Sequence, residues 1–346
     1  MNRFSFLSHD ADQDRLPVAL LSGFLGSGKT TLVNALLRDP RMSGTAVAVN
    51  EFGAIPLDHD LIDFGADKTV VMANGCLCCN LAGDMEDAVM RLFSRRQNEQ
   101  VPRFERLIIE PSGLSDPAPI AQAILRNPVM SRSMRLEAIV TTVDSLFAEA
   151  QLARHPETRK QVALADCLVL TKTDLVPADA AGRLRSTLRG HNPAAPGVSA
   201  VLGAVDAGLL FPPAFFNQAD ATPAPSRSHL FAESVDPDHV GRHASVSLTA
   251  DQPLHWPAFE AWLRRIRIGH ADQLLRVKGL LDIQGAQGPV VLQGVHHVLN
   301  APVERKAWPP GRRGSRLVLI ADPATIAVAQ ESWAAALDGM TAKHAL

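Results

Sequence analysis

The sequence predicts an α/β protein: a mostly parallel sheet with helices on both faces, followed by a smaller α+β unit. Three observations carry this reading. Apolar, β-branched runs alternate with helical patterns through the first two hundred residues, as in stacked βαβ units. The segment Gly23-Phe24-Leu25-Gly26-Ser27-Gly28-Lys29-Thr30 fits G-x-x-x-x-G-K-[ST] in full and stands between a strand pattern and a helix pattern. A proline-rich break after residue 205 precedes a second set of strand and helix patterns.

The elements follow in order. Val18 to Leu21 is an apolar run that reads as a buried strand, and Thr31 to Leu37 reads as an amphipathic helix. Strand, glycine loop and helix together define a P-loop NTPase domain. Its strands are expected at 17–22, 45–50, 69–73, 105–110, 136–143, 167–171 and 198–202, with helices starting near 29, 84, 117, 157 and 177. From 206 to 240, Pro212-Pro213, Pro223, Pro225 and Pro237 break the pattern, so a linker or surface crossover is expected. Beyond it, Ala244 to Leu248 reads as a strand. Phe259, Trp262, Leu263 and Ile266 recur at helical spacing, as core rather than as a binding stripe. Strands near 273–283, 289–298 and 315–321 and a helix over 323–337 complete the second unit. The expected domains are a polar leader over 1–16, a nucleotide-binding domain over 17–205, the crossover over 206–240 and an α+β domain over 241–346.

Bulk properties exclude several functions. A net charge of −2 leaves no electrostatic footprint for nucleic acid or an anionic membrane. No apolar run reaches the roughly 20 residues that span a bilayer. The polar leader has no apolar signal core, so a cytoplasmic protein is expected. Three of the four cysteines fall within four positions, which is no disulfide framework and reads as metal or redox chemistry, the redox reading being weaker because adjacent cysteines do not easily close an unstrained disulfide.

The motifs that carry chemistry all follow expected strand ends, where ligands sit in open α/β sheets. Gly23, Gly26, Ser27 and Gly28 let backbone N–H groups converge on phosphate oxygens at a helix N-terminus, with Thr31 continuing the motif. Lys29 is expected on the β- and γ-phosphates and the Thr30 hydroxyl on Mg²⁺. Glu110 ends the run Leu107-Ile108-Ile109, where an acid can orient Mg²⁺ or its water, and Gly113 can offer a backbone N–H to the γ-phosphate. Thr171-Lys172-Thr173-Asp174 resembles the guanine-reading N/T-K-x-D motif. Asp174 can accept from guanine N1–H and the exocyclic amine, and the Lys172 stem can lie along the base. Thr171 in place of the commoner Asn is expected to give up base or loop-bracing contacts. Cys76, Cys78 and Cys79 offer thiolates that suit Zn²⁺ and also admit Cu(I) or Co²⁺. With no second cysteine pair in the chain, the cluster reads as an incomplete, exchangeable site. Cys167, inside an apolar strand, reads as a small core residue.

Taken together, these residues resemble the CobW-like metallochaperone GTPases, a family that includes cobalamin-biosynthesis accessory proteins, zinc chaperones and nitrile hydratase activators. The resemblance rests on GFLGSGKTT at 23–31, VNEFG at 49–53, NGCLCC at 74–79, IIEPSGLSDPAP at 108–119, ALADCLVLTKTDL at 163–175 and LLRVKGLL at 274–281. It implies GTP binding, slow Mg²⁺-dependent hydrolysis and a metal, zinc or alternatively cobalt, at the cysteine cluster. Glu51 would lie in a switch segment facing metal or nucleotide. Glu110 and Gly113 would match the second switch, and Lys172 and Asp174 the guanine readers. The implied partner is a client metalloprotein or cofactor-assembly enzyme, with a homo-oligomer open. The chain departs from the pattern in having Ala54 directly after NEFG, with Asp58 the nearest acid, and in lacking a long histidine run. His296-His297 is expected in a strand, its two side chains on opposite faces. His229 and His239 fall in the crossover and His243 just past it, read either as solvated or as a weak extra site. Two other readings stand beside the first: an ATP-using P-loop kinase or transferase, and a GTP-binding zinc buffer or stress adaptor without directed delivery.

Overall fold

The computed structural model describes residues 15–49, 71–73, 81–211, 243–308 and 313–341. The first sheet is built around β1 (Leu16–Gly23), which is buried along nearly its whole length. There follow α1 (Lys29–Leu37), β2 (Thr45–Val49), β3 (Val71–Ala73), α2 (Leu81–Gln97), β4 (Arg106–Glu110), α3 (Ala118–Arg126), α4 (Met130–Ser133) and β5 (Met134–Asp144). Then come α5 (Ala148–Arg154), α6 (Pro156–Leu164), β6 (Cys167–Thr171), α7 (Ala178–His191) and β7 (Gly197–Ala200). The seven strands lie in the order β3-β2-β4-β1-β5-β6-β7, and every pairing is parallel. Parallel strands need covered faces, and β1 shows how both are covered. Val18 and Leu20 point to a core shared with α2, α3 and α6. Ala19 and Leu21 point the other way, into a core with Leu32, Val33 and Leu36 of α1. This is the period-two alternation of a strand buried on both sides.

The crossover does not leave this core at residue 206. Ala207, Leu210 and Phe211 are buried in it, and the Asp206 carboxylate caps the 3₁₀ turn Ala207–Leu209 by accepting from Gly208 N–H. The rest of the crossover, with His229 and His239, lies outside the described residues.

The second sheet is antiparallel. It comprises β8 (Ala244–Ala250), β9 (Arg276–Leu281), β10 (Val290–Val295), β11 (Val298–Leu299), β12 (Val303–Glu304) and β13 (Ser315–Ala321). The order is β11-β10-β9-β13-β8, with β12 on β10. Helices α8 (Trp256–Gly269) and α9 (Pro323–Thr341) cover one face. Trp262 and Trp333 meet edge-on with centroids 5.0 Å apart, so the helical aromatics are core, as their spacing suggested. The histidine pair departs from expectation. His296 and His297 form the two-residue turn between Val295 and Val298, with His296 at φ 52°. They lie in no strand and have no strand faces to be divided between. Two adjacent strands of the same hairpin need a tight reversal there, and that demand overrides the apolar run around it. The short helices α4 and α5 and the two-residue strand β12 are further features that periodicity did not reveal.

Alternation also explains how the two sheets meet. On β13, Leu317, Leu319 and Ala321 face α8 and α9, whereas Val318 and Ile320 join the core of the first sheet's helices. On β9, Val277 and Leu281 belong to the former set, so Arg276 and Lys278 face the first unit. Both reach Asp166, in the bend before β6. Arg276 Nη2 donates to Asp166 Oδ1, Lys278 Nζ lies 3.0 Å from the same oxygen, and Ile139 N–H donates to Oδ2 at 2.8 Å. Burial alone raises the Asp166 pKa, but Arg276, Lys278 and the Ile139 N–H outweigh it and hold it below the ordinary carboxylate value. Among the described residues, no helix is long and apolar enough to cross a membrane.

Removing one partner of a buried ion cluster strands the others. Asp166→Ala is therefore expected to lower stability by about 3–5 kcal/mol in urea unfolding at neutral pH. A depressed folded-state pKa contributes stability above the unfolded value of about 3.9 that is lost as pH falls through the folded one. The wild type should accordingly lose more stability than Asp166→Ala on acidification below about pH 4, and parallel losses would rule the linkage out.

Candidate nucleotide site

The carboxyl ends of the parallel strands form one rim, and the glycine loop occupies its centre. The loop is tight because its first residue touches the neighbouring strand. A Cβ on Gly23, at φ 138°, would lie 2.6 Å from Thr142 O and 2.7 Å from Ser27 Oγ, so only glycine fits. Gly26 and Gly28 also take positive φ, 69° and 92°, and Gly28 leads directly into α1. That places the first N–H groups of α1, including those of Thr30 and Thr31, at the mouth of the loop.

The side chains expected to act on phosphate converge here. Lys29 is only 9% exposed; its ammonium donates to Gly23 O at 3.0 Å and Phe24 O at 3.2 Å. The lysine therefore lies inside the curve of its own loop. The Thr30 hydroxyl donates to Glu110 Oε1 at 3.3 Å, and Glu110 is buried at the end of β4. A hydroxyl and a carboxylate, 80 residues apart in sequence, thus come together as hard oxygen donors of the kind that suits Mg²⁺. Gly113 lies directly on the glycine loop: a Cβ there would fall 2.7 Å from Leu25 N and 2.9 Å from Leu25 Cα.

The segment 171–174 braces the loop from the other side. The Thr171 hydroxyl donates to Ser27 O at 2.8 Å, with Val143 O 3.2 Å away. The expected loss of loop-bracing by threonine is therefore corrected, because its shorter side chain, buried at the end of β6, already reaches the loop backbone. Lys172, at φ 56°, donates to Gly26 O at 3.0 Å and to Asp144 Oδ2 at 2.6 Å. Asp174 sits in the 3₁₀ turn Thr173–Leu175, exposed to solvent, so its carboxylate is open to a base.

Several residues of this site were missed from sequence. Thr142 shares a 2.7 Å hydrogen bond with Ser27 Oγ, and Asp144 anchors Lys172. Both are polar residues at the end of an apolar strand that points to the same rim, which was the available signal. Phe24 packs on His155 with ring centroids 4.5 Å apart, a contact with no sequence signal. Glu51, Cys76, Cys78 and Cys79 lie outside the described residues. The strands leading to them are adjacent: Val49 pairs with Ala73 on one side and with Glu110 on the other. Cys167 is buried in β6, where desolvation pushes its thiol up to about 12, as befits a core residue. Among the described residues, no group of three or more His, Cys, Asp or Glu could hold a metal ion.

Comparison with known proteins agrees with this geometry. Residues 17–199 match the CobW/HypB/UreG nucleotide-binding domain, and residues 243–337 match the cobalamin synthesis protein CobW C-terminal domain. The chain is 32% identical over 306 residues to the zinc chaperone YjiA of Escherichia coli, covering 88% of this chain and 93% of that protein. It is 28% identical over 343 residues to the zinc chaperone CobW of Pseudomonas aeruginosa, covering 88% and 87%. The crystal structure of Zn(II)-bound YjiA GTPase superimposes with a TM-score of 0.65 at 26% identity, covering 94% of this chain and 99% of that one.

Because Gly113 rests on the backbone of Leu25, moving the Leu25 side chain alone would not make room for an added methyl. Gly113→Ala should weaken binding of a fluorescent GTP analogue by about 10-fold or more, while far-UV circular dichroism stays that of the wild type. Unchanged affinity would show that the contact does not set the site.

Proposed function

We propose that this chain, which belongs to the CobW/HypB/UreG family, is a GTP-driven metallochaperone that binds zinc at its cysteine cluster and delivers it to a client. GTPase activity follows from the family and its relatives. The observation that carries the assignment of the reacting end is the meeting of Thr30 with buried Glu110 beside Lys29.

In this reading the phosphates enter the curve of the glycine loop, and Lys29 exchanges the Gly23 and Phe24 carbonyls for β- and γ-phosphate oxygens. Main-chain N–H groups of Gly26, Ser27, Gly28 and the first turn of α1 complete the cradle. Thr30 and Glu110 would hold Mg²⁺, the hydroxyl as ligand and the carboxylate through the ion or its water. When bound, Mg²⁺ neutralises charge on the transferring phosphoryl group. Gly113 N–H reads the γ-phosphate. Asp174 accepts from the two guanine donors, and the Lys172 stem supports the base. No arginine occurs in 16–37 or 107–125, so this part of the chain supplies no arginine finger and turnover is slow.

Cys76, Cys78 and Cys79 supply thiolates for the metal cargo, with Glu51 or water completing the coordination. Zinc is the favoured cargo because relatives across most of the chain are named zinc chaperones; cobalt is the alternative that the same soft donors admit. Support for coupling comes from the strand register. The chain departs toward Glu51 from Val49 and toward the cysteines from Ala73, in a row with Glu110. A γ-phosphate that orders these segments and is lost on hydrolysis changes the metal's surroundings. The client is a metalloprotein or a cofactor-assembly enzyme.

Guanine selectivity is tested first. GTP should outcompete ATP for a fluorescent analogue by roughly 5- to 150-fold, the range for a hydrogen-bond mismatch of about 1–3 kcal/mol once a bound base covers the Asp174 carboxylate. Asp174→Ala should weaken GTP far more than ATP, and equal affinities in the wild type would reject the base assignment.

The metal is tested by titrating zinc against a chelator with GDP and with a non-hydrolysable GTP analogue. One ion per chain is expected, lost in Cys78→Ser/Cys79→Ser and weaker at lower pH because the thiolates must be deprotonated. Linkage requires the zinc affinity to differ between the two nucleotides if hydrolysis drives release. Identical affinities would leave a GTP-binding zinc buffer, and an unchanged stoichiometry in the double variant would move the site elsewhere.

A further inference from the structure

We propose that Gln161 is a positioning residue of the GTPase reaction: its buried carboxamide holds the turn 113–115 in the setting that presents Gly113 N–H to the γ-phosphate. The inference rests on the reading of Gly113 given above and adds to it a residue that never meets the nucleotide.

Gln161 projects from α6 and is 1% exposed. Its Nε2 donates to Gly113 O at 3.0 Å and to Ser115 O at 3.1 Å, so both amide hydrogens go to a single turn. That turn is closed by Ser115 N–H donating to Ser112 O at 2.9 Å. Gln161 holds the carbonyls of residues 113 and 115, and the Ser115 N–H in turn holds the Ser112 carbonyl, which shares a peptide plane with the Gly113 N–H and so sets its direction. On its other side the turn abuts the backbone of Leu25. It is therefore clamped between the glycine loop and α6. A second grip comes from the neighbouring residue on α6, Lys160, whose ammonium lies 2.6 Å from Asp116 Oδ2.

The amide's orientation has one solution. Flipping it would set Oε1 against two carbonyl oxygens. In the orientation present, Oε1 is buried and accepts no hydrogen bond among the described residues. A side chain selected for packing alone would be better served by an apolar group without that unmet acceptor. What an apolar group cannot do is donate twice to the turn.

The helix that carries Gln161 is itself held firmly. Thr141 Oγ1 donates to Gln161 O at 3.2 Å. Asn192 Nδ2, buried below the end of α6, lies 2.9, 3.2 and 2.9 Å from the carbonyls of Val162, Ala163 and Ala165. A rigid helix with two donors aimed at one turn is the arrangement that orients a transition-state contact.

The variant is Gln161→Glu, isosteric and, once ionised, an acceptor only. Equilibrium binding of fluorescent GDP and of a non-hydrolysable GTP analogue is measured beside single-turnover hydrolysis. GDP has no γ-phosphate, so its affinity should stay within about twofold of wild type. Analogue affinity and the hydrolysis rate should each fall about 10-fold, the loss of one to two neutral hydrogen bonds. A merely structural role would lower both nucleotide affinities together along with the melting temperature, and that pattern overturns the proposal, as does a wild-type rate with a wild-type affinity ratio. Gln161→Met, apolar and of similar length, gives the same readouts if the buried carboxylate prevents folding. Lys29→Ala is run in parallel. If it still hydrolyses GTP, the phosphate-site reading has failed; if it is inactive while Gln161→Glu behaves as wild type, only the role of Gln161 has.

Discussion

One buried carboxylate, set beside the apolar seam of Val318 and Ile320, ties the two sheets of this protein together. Asp166 accepts from Ile139 N–H on β5 and from Arg276 on β9, with Lys278 at 3.0 Å. In the same stroke its own N–H donates to Ile139 O at 2.6 Å. A charge so enclosed is tolerable only with all its partners in place, so it fixes the register of β6 against β5 and the seating of the second sheet. It also lies between the two parts of the chain that serve the nucleotide rim: α6 with Gln161 on one side, and β6 leading to Thr171, Lys172 and Asp174 on the other.

The rim shows the same economy of parts. The glycine loop is held by hydroxyls from two neighbouring strand ends, Thr142 on Ser27 Oγ and Thr171 on Ser27 O, and by an ammonium on Gly26 O. Each neutral bond contributes only about 1 kcal/mol. Their collective effect is to give the loop one shape before any ligand arrives, which is how a backbone cradle stabilises transferring charge without reorganising. Lys29 and Glu110 are kept near full burial at its centre, where their charges act in a lower dielectric than water.

Topology places the described strand ends that lead toward the proposed metal site side by side. Among the described residues β3 is the edge strand of the sheet and ends at Ala73, with Val49 at the end of β2 paired to it. Val49 pairs with Glu110 on its other side, so these strand ends share the rim that holds Glu110. The coupling proposed between phosphate and thiolates would need no long relay, because adjacent strands end at this one rim.

The alternation of strands and helices, the glycine loop and the strand-end motifs were legible in the sequence because their signals are local. Periodicity of two or 3.6, a glycine pattern and a polar residue closing an apolar run each need only a short window. Lys29, Thr30, Glu110, Gly113, Lys172 and Asp174 were singled out this way as candidates, and the structure brings them to one rim. Other features required the third dimension. His296-His297 looked like strand and proved to be a turn, because partner strands, not the residues themselves, set where a hairpin reverses. Thr171 looked like a weakened substitute and proved to brace the loop, since reach depends on how deeply a strand end is buried. Arg276 and Lys278, alternating with Val277, carry the pattern of a solvent face; only the packing of a second sheet on the first makes that face an interior. Gln161 carries no pattern at all, and its meaning depends on carbonyls almost fifty residues away. Local chemistry is written along the chain, but which polar groups meet in the interior is decided by tertiary contacts between distant segments, and a sequence window cannot contain both partners.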